Sequence, residues 1–283
     1  MPILSEIILY PIKSCGGIAL REVNVTSAGL MTAQIYDREW MVVDANGVGL
    51  TQREHPRMAL ITPTLKAYTL ELRAPGMLRL EIPLGLPDPA QAPTLTTHIW
   101  EETLQAYDCD ELTAEWFTKA IGVPCRLARF HADVERAVSD QWTGGVAATT
   151  MFSDGYPILV VGAASLEDLN GKLRAAGREA IPMNRFRPNL VIDGVEAFEE
   201  DYAESFEIGD VVLKPVKPCP RCPMPSVDQA TGEFGPDPLD IMQSYRAKPE
   251  VDGALCFGMN SILIAGEGLR VRVGQEIAVT LAF

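Results

Sequence analysis

Two cysteines three residues apart, Cys219 and Cys222, flank an arginine in the run Lys217-Pro218-Cys219-Pro220-Arg221-Cys222-Pro223-Met224-Pro225. A thiol acts as nucleophile or metal ligand only as the thiolate, and a neighbouring guanidinium such as Arg221 favours that form. The prolines fix φ around the pair and so restrict where each sulfur can point. Thiolates are the protein ligands that suit soft metal centres. Other readings of the spacing stay open. A structural zinc site takes four ligands, usually from a second such pair or from histidines. The chain has no second pair, and His55, His98 and His131 are scattered. A redox dithiol normally opens a helix whose amides lower the thiol pKa, and Pro223 and Pro225 follow too closely for that. Free cysteine is also often just a small buried residue. The loop ends a stretch, 184–246, that begins with Asn184-Arg185-Phe186-Arg187-Pro188-Asn189 and concentrates residues able to do chemistry.

The whole chain limits the partners of such a loop. Of 283 residues, 24 are basic and 38 acidic, a formal net charge of −14. That balance argues against nucleic acid or an anionic membrane surface, while leaving room for a local basic pocket around a small anion. Hydrophobic residues at 47% against 22% charged are enough to bury a core. The first residues lack the basic start of a secretory leader. The longest apolar run, 158–164, is too short to span a bilayer. Six cysteines without a regular framework fit a reducing compartment, and the sequence reads as cytoplasmic.

The elements that would position the loop read as mostly β, in the α+β sense. Strands are predicted at 5–10, 18–25, 40–43, 58–61, 68–73, 78–82, 96–100 and 103–107, separated by glycine and proline turns. Such spacing, without β–α–β alternation, predicts a barrel or sandwich. Asn46-Gly47 after the 40–43 run is a hairpin signal. A Pro-rich stretch over 84–93 reads as a surface loop. Asp110 caps a predicted helix with Leu112, Trp116, Phe117, Ala120 and Ile121 on one stripe, ended by Gly122 and Pro124. Residues 125–148 are weakly periodic, contain Gly144-Gly145, and read as a connection or mobile loop. Beyond it come predicted strands at 158–161, 190–192, 205–208, 211–216, 262–265, 270–273 and 277–281. Ser165 caps a helix that ends at Gly177, and Asp237-Pro238 opens another reaching to about Arg246.

Six motifs follow one another along the chain: Tyr10-Pro11-Ile12-Lys13-Ser14-Cys15, Asp37-Arg38-Glu39-Trp40, Leu50-Thr51-Gln52-Arg53, Phe186-Arg187-Pro188-Asn189, Pro220-Arg221-Cys222 and Ser244-Tyr245-Arg246. In this order they resemble the MOSC-domain family, named for the C-terminal domain of molybdenum cofactor sulfurase. Within it they look like the branch of the mitochondrial amidoxime reducing component and its bacterial homologues. The resemblance covers essentially the whole chain. It implies a MOSC N-terminal β-barrel domain over 1–122 and a MOSC β-barrel domain with a few peripheral helices over 123–283. It further implies a molybdenum cofactor, molybdenum on molybdopterin, between the two domains, with Cys222 as metal ligand and catalytic centre. Lys13, Ser14 and Arg38 would then hold the cofactor phosphate, a group suited by a lysine point charge, a hydroxyl and a guanidinium fork. Arg187 and Asn189 match the family's pterin contacts. Ser153 and Asp154 match a loop that meets the cofactor through its backbone, and Arg221 adjoins the metal ligand. Pyridoxal phosphate binding is a further family-level expectation.

The activity implied is a two-electron, two-proton reduction of small N-hydroxylated compounds, amidoximes or hydroxylamines, with release of water. The sequence shows no flavin or iron–sulfur signature and stops at Phe283 without a Cys-rich extension. The implied electron donor is therefore a separate protein of ferredoxin, flavoprotein or cytochrome type. Two other readings stay open: sulfur carriage as a persulfide on Cys222 or Cys219, and cofactor binding or delivery without turnover.

Overall fold

In the computed structural model, which describes residues 1–33, 35–88 and 91–282, the chain gives its first strand to a sheet built mainly from its second half. Ile3–Leu9 buries Leu4, Ile7 and Leu9 and pairs antiparallel with Leu190–Asp193 on one side and Ile18–Leu20 on the other. The sheet continues through Ile158–Gly162, Ala254–Ala265, Val211–Pro220, Ala203–Ile208 and Ala278–Leu281. Leu190–Asp193 and Ile158–Gly162 run parallel, so the chain between them must cross over. It does so through the helix Ala163–Ala175, as parallel pairs require.

The remaining strands form three smaller antiparallel sheets. Trp40–Val43, Arg126–Phe130, Glu102–Asp108 and Thr94–Ile99 make one. Glu22–Thr26, Gly29–Thr32, Ile35–Tyr36 and the late strand Arg270–Arg272 make the second, and Thr62–Leu65, Thr69–Arg73 and Leu80–Pro83 the third. Each half thus lends strands to the other, and one apolar cluster runs from Leu4, Val23 and Trp40 through Phe117 and Leu127 to Ile158, Phe206 and Leu263. A core continuous across both halves holds the space between them at a fixed geometry. Twenty strands against four α-helices among the described residues make the fold mostly β. Among the described residues no helix is long and apolar enough to cross a membrane.

The predicted helix at Asp110 forms as Glu111–Ile121, with Asp110 accepting from Thr113 N at 2.8 Å and Gly122 left-handed at φ 95°. Leu112 leaves the predicted stripe and is exposed. Other expectations need correction. Residues 58–60 of the run 58–61 lie in the 3-10 helix Pro56–Leu60, opened by Pro56, whose fixed φ suits the first helical position, and only Ile61 is extended. The run 18–25 divides at Arg21 into two strands that join different sheets. Ser165 sits inside its helix, whose N-cap is Gly162, and its hydroxyl donates to the buried Glu200 carboxylate at 2.7 Å. The helix after Asp237 shrinks to Leu239–Met242. The turn at Asn46-Gly47 returns only as an isolated bridge, Val43 to Gly49. Residues 125–148 contain the buried strand Arg126–Phe130 rather than a mere connection. Of the 84–93 loop, Pro89 and Ala90 lie outside the described residues.

Candidate functional site

Two non-adjacent turns clasp each other where the first strand ends. Arg38 N donates to Tyr10 O at 2.7 Å, Trp40 N to Pro11 O at 3.0 Å, and Lys13 N to Trp40 O at 2.8 Å. The second half docks on the clasp through Phe152 N to Arg38 O at 2.9 Å. Ser14, Arg38 and Arg187 all take left-handed backbone conformations, at φ 64°, 53° and 54°. Each costs a non-glycine residue about 1–2 kcal/mol. Such strain persists only where surrounding structure enforces it, and it gathers at functional sites.

These turns wall a cavity between the halves, lined by Lys13, Ser14, Arg38, Arg53, Arg187 and Arg221 and by Ser153, Asp154, Asn189 and Cys219. Five cations thus face one space in a protein of net charge −14. Two carboxylates partly balance them. Lys13, itself buried, pairs with Asp154 at 2.5 Å and donates to Phe152 O at 2.8 Å. Arg38 pairs with the buried Asp37 and also donates to Asn189 Oδ1 at 3.1 Å. Burial lowers the Lys13 pKa, and Asp154 pulls it back up. Burial would raise the Asp154 carboxyl, yet Lys13, with Arg53 and Arg38, holds it down at about 2.

Arg187 is different. It is only 6% exposed, and its two terminal nitrogens, Nη1 and Nη2, have no hydrogen-bond partner. Its guanidinium lies 4.2 Å from the centroid of the Tyr10 ring, which also carries Arg38 at 4.6 Å. Burial depresses the Arg187 pKa, with Arg38 adding repulsion. A buried guanidinium without acceptors is costly, so its free donors are open to a ligand rich in acceptor oxygens or nitrogens.

The sequence-predicted residues divide by what their side chains already hold. Lys13, Ser14, Arg38, Arg187, Asn189, Ser153, Asp154 and Arg221 come together on the cavity wall. The Asn189 amide is committed: Oδ1 accepts from Arg38 and from Leu159 N, and Nδ2 donates to Ile8 O. Ser153 Oγ donates to Tyr156 O at 2.8 Å, and Arg136 fixes that loop from behind through Ser153 O at 2.6 Å. Arg221 donates to the carbonyls of Phe257 and Phe186 at 2.7 to 3.0 Å. Of the two cysteines, Cys219, near the end of the strand Val211–Pro220, lines the cavity, while Cys222 lies half-buried outside this wall. Burial raises the Cys219 thiol above its ordinary value, and Arg221 only partly offsets this. Among the described residues no group of three or more His, Cys, Asp or Glu is placed to hold a metal ion. Sequence reasoning missed Tyr10, Asp37, Arg53, Arg136 and Asn260, the last also on the cavity wall, as parts of the site. Tyr10 and Asp37 stood inside the motifs, whereas Arg136 and Asn260 carried no local signal.

The chain matches the MOSC N-terminal beta barrel domain over residues 1–124 and the MOSC domain over residues 147–278. It is 35% identical over 249 residues to the mitochondrial amidoxime reducing component 2 of Rattus norvegicus, a match covering 86% of this chain and 72% of that protein. It is 33% identical over 247 residues to the human mitochondrial amidoxime-reducing component 1, with coverages of 86% and 72%. The molybdenum cofactor sulfurase of Bos taurus is 30% identical over 289 residues, which take up 97% of this chain but 32% of that larger protein. A Bordetella bronchiseptica protein of known solution structure shares 32% identity over 38% of this chain and 86% of its own, with a TM-score of 0.32. The clasped N-terminal turns and the Arg187–Arg221 wall are therefore the two sides of a molecule that belongs to the MOSC family and carries both its N-terminal β-barrel domain and its MOSC domain.

Proposed function

We propose that the cavity holds a molybdenum cofactor and that the protein reduces small N-hydroxylated compounds. The observation that carries this reading is Arg187, a buried guanidinium with two unpartnered terminal nitrogens beside Lys13 and Arg38. The wall fits the organic part of the group. Lys13, Ser14 and Arg38 would take the phosphate and Arg187 the acceptor-rich edge of the pterin, while Cys222, three positions beyond the cavity-lining Cys219, would take the metal on the strength of the family motif alone. When bound, the molybdenum supplies the oxygen-atom transfer. The chain does the rest: it neutralises the phosphate, fixes the pterin against Arg187, which Tyr10 supports from within, and shapes the space beside it. The net reaction takes R–NHOH, two electrons and two protons to R–NH2 and water. Electrons come from a separate protein of ferredoxin, flavoprotein or cytochrome type, in a reducing compartment such as the cytoplasm, where free cysteines persist.

The test is elemental analysis of protein made in a host that synthesises the cofactor, followed by reduction of an amidoxime with reduced viologen. One molybdenum per chain, lost in Cys222→Ala and retained in Cys219→Ala, is the expected outcome. Full metal retention in Cys222→Ala overturns its role, and absence of molybdenum from the unaltered protein overturns the cofactor. A second reading draws on Cys219, whose sulfur belongs to the cavity wall. A persulfide there would make the protein a sulfur carrier, and it predicts sulfur released by cyanide from Cys222→Ala but not from Cys219→Ala.

A further inference from the structure

The cavity opens into a second hollow of about 310 Å³, with which it shares Lys13, Thr51, Arg53 and Asp154. Its volume matches the lower range of small-molecule pockets. Exposed Val48 contributes apolar surface, backed by the buried Met41 and Ile99. Trp100 closes one side. It is 60% exposed and holds a left-handed backbone at φ 52°, so a large indole is kept at the surface on a strained residue. The positive φ belongs to the two-residue turn between the strands Thr94–Ile99 and Glu102–Asp108, but nothing in that turn calls for an exposed indole. Arg53 lies over the indole, its Cζ 4.9 Å from the ring centroid, and its Nε donates to Thr51 Oγ1 at 3.3 Å. Among the described residues Nη1 and Nη2 of Arg53 have no hydrogen-bond partner. The exposed Glu54 carboxylate stands on the same wall.

We propose that this hollow seats the organic part of the substrate, a planar aromatic ring carrying one acidic substituent. The ring packs against Trp100, and the acid takes the free nitrogens of Arg53 as a fork. A molecule so placed has its other end towards Thr51 and Asp154, residues that line both spaces. Apolar surface on one side and an aromatic face on the other select for a flat ring. An arginine already oriented by stacking and by Thr51 loses little freedom on binding a carboxylate. Glu54 disfavours a second acid. The inference rests on the reductase reading for the identity of the reacting group and on the hollow alone for the ring and the acid.

The experiment compares benzamidoxime with 4-carboxybenzamidoxime, reduced with viologen by the molybdenum-loaded protein, its Trp100→Ala, Trp100→Phe and Arg53→Gln variants. Calorimetry with the product 4-carboxybenzamidine runs in parallel. Trp100→Ala should raise KM for both compounds about three- to tenfold, with its molybdenum content retained, and Trp100→Phe should recover most of the loss. Arg53→Gln should raise the KM ratio of carboxylated to plain substrate about tenfold. Calorimetry should show the product bound and its affinity reduced in both Trp100→Ala and Arg53→Gln. Turnover with KM values indifferent to all three substitutions overturns the subsite. Product binding that depends on Trp100 and Arg53 in a protein without turnover upholds the subsite and sinks the reductase reading instead.

Discussion

Asp154 occupies, with its own carboxylate, the place beside Lys13 that a phosphate would take. Its replacement by asparagine therefore separates two effects. In the protein without ligand, the Lys13–Asp154 pair at 2.5 Å holds the carboxyl at about 2, against an ordinary 3.8. At about 1.4 kcal/mol per pKa unit that shift corresponds to roughly 2 kcal/mol. The Asp154 side chain is 59% exposed, and solvent screening reduces the figure to about 1 kcal/mol. An acid with a depressed pKa stabilises the fold above its unfolded pKa. The contribution is thus complete above about pH 4 and is lost as pH falls towards 2. Asp154→Asn removes it, which should lower Tm at neutral pH by about 2 °C. The same substitution removes the anion that competes for Lys13. Affinity for inorganic phosphate should then rise about fivefold, the equivalent of about 1 kcal/mol. The assay is thermal unfolding against phosphate concentration at constant ionic strength, for the unaltered protein, Asp154→Asn and Lys13→Gln. Ligand bound only to the folded state raises Tm in step with its affinity. Asp154→Asn should start lower and climb more steeply, and Lys13→Gln should stay flat. If phosphate stabilises Asp154→Asn no more than the unaltered protein, the carboxylate is not standing in for an anion.

Arg187→Met removes an unpartnered buried cation while keeping the stem over Tyr10. Urea denaturation should show stability unchanged or raised by up to about 2 kcal/mol, while molybdenum retention falls; a loss above about 1 kcal/mol contradicts the absence of partners for Nη1 and Nη2 among the described residues. Arg129 and Glu39 form a pair at 2.6 Å with each side chain 5% exposed, and Arg129 also donates to the carbonyls of Leu84 and Gly85. Glu39→Gln leaves that guanidinium without its counter-charge and should cost about 3–5 kcal/mol, read from the denaturation midpoint. Burial pushes the thiols of Cys15, Cys109 and Cys256 up to about 12. Since only the thiolate reacts, these three should escape iodoacetamide in the folded protein at pH 8, and mass spectrometry should find them labelled only after unfolding.

The parts of the fold that could be read from sequence are those fixed by neighbours along the chain. Asp110 and Gly122 bracket their helix because a carboxylate caps the amide of Thr113 and glycine tolerates the left-handed exit. Trp40–Val43 and Ile158–Gly162 announce themselves through apolar runs that only buried strands accept. Arg126–Phe130 hides for the opposite reason. Leu127 to Phe130 are buried, so no alternation shows, and Arg129 is tolerated there only because Glu39 reaches it from 90 positions away. Similarly, nothing local ties Ile3–Leu9 to Leu190–Asp193, yet that pairing joins the two halves around the cavity.

The site repeats this division between local and distant causes. Motif order pointed to Lys13, Ser14, Arg38, Arg187, Asn189 and Arg221, but residue type could not say which of them still had hydrogen bonds to give. Asn189 gives its amide to Ile8, Leu159 and Arg38, and Arg221 gives its guanidinium to Phe186 and Phe257, so both build the walls. Arg187 is held on a strained backbone with its terminal donors unspent among the described residues. A wall residue can be replaced only by losing bonds inside the protein, whereas Arg187 can be replaced without losing a hydrogen bond of its terminal nitrogens. The walls and the proposed ligand-reading group are therefore separable by substitution, and Arg187, rather than either cysteine, is the residue whose own geometry speaks most directly for the proposed ligand.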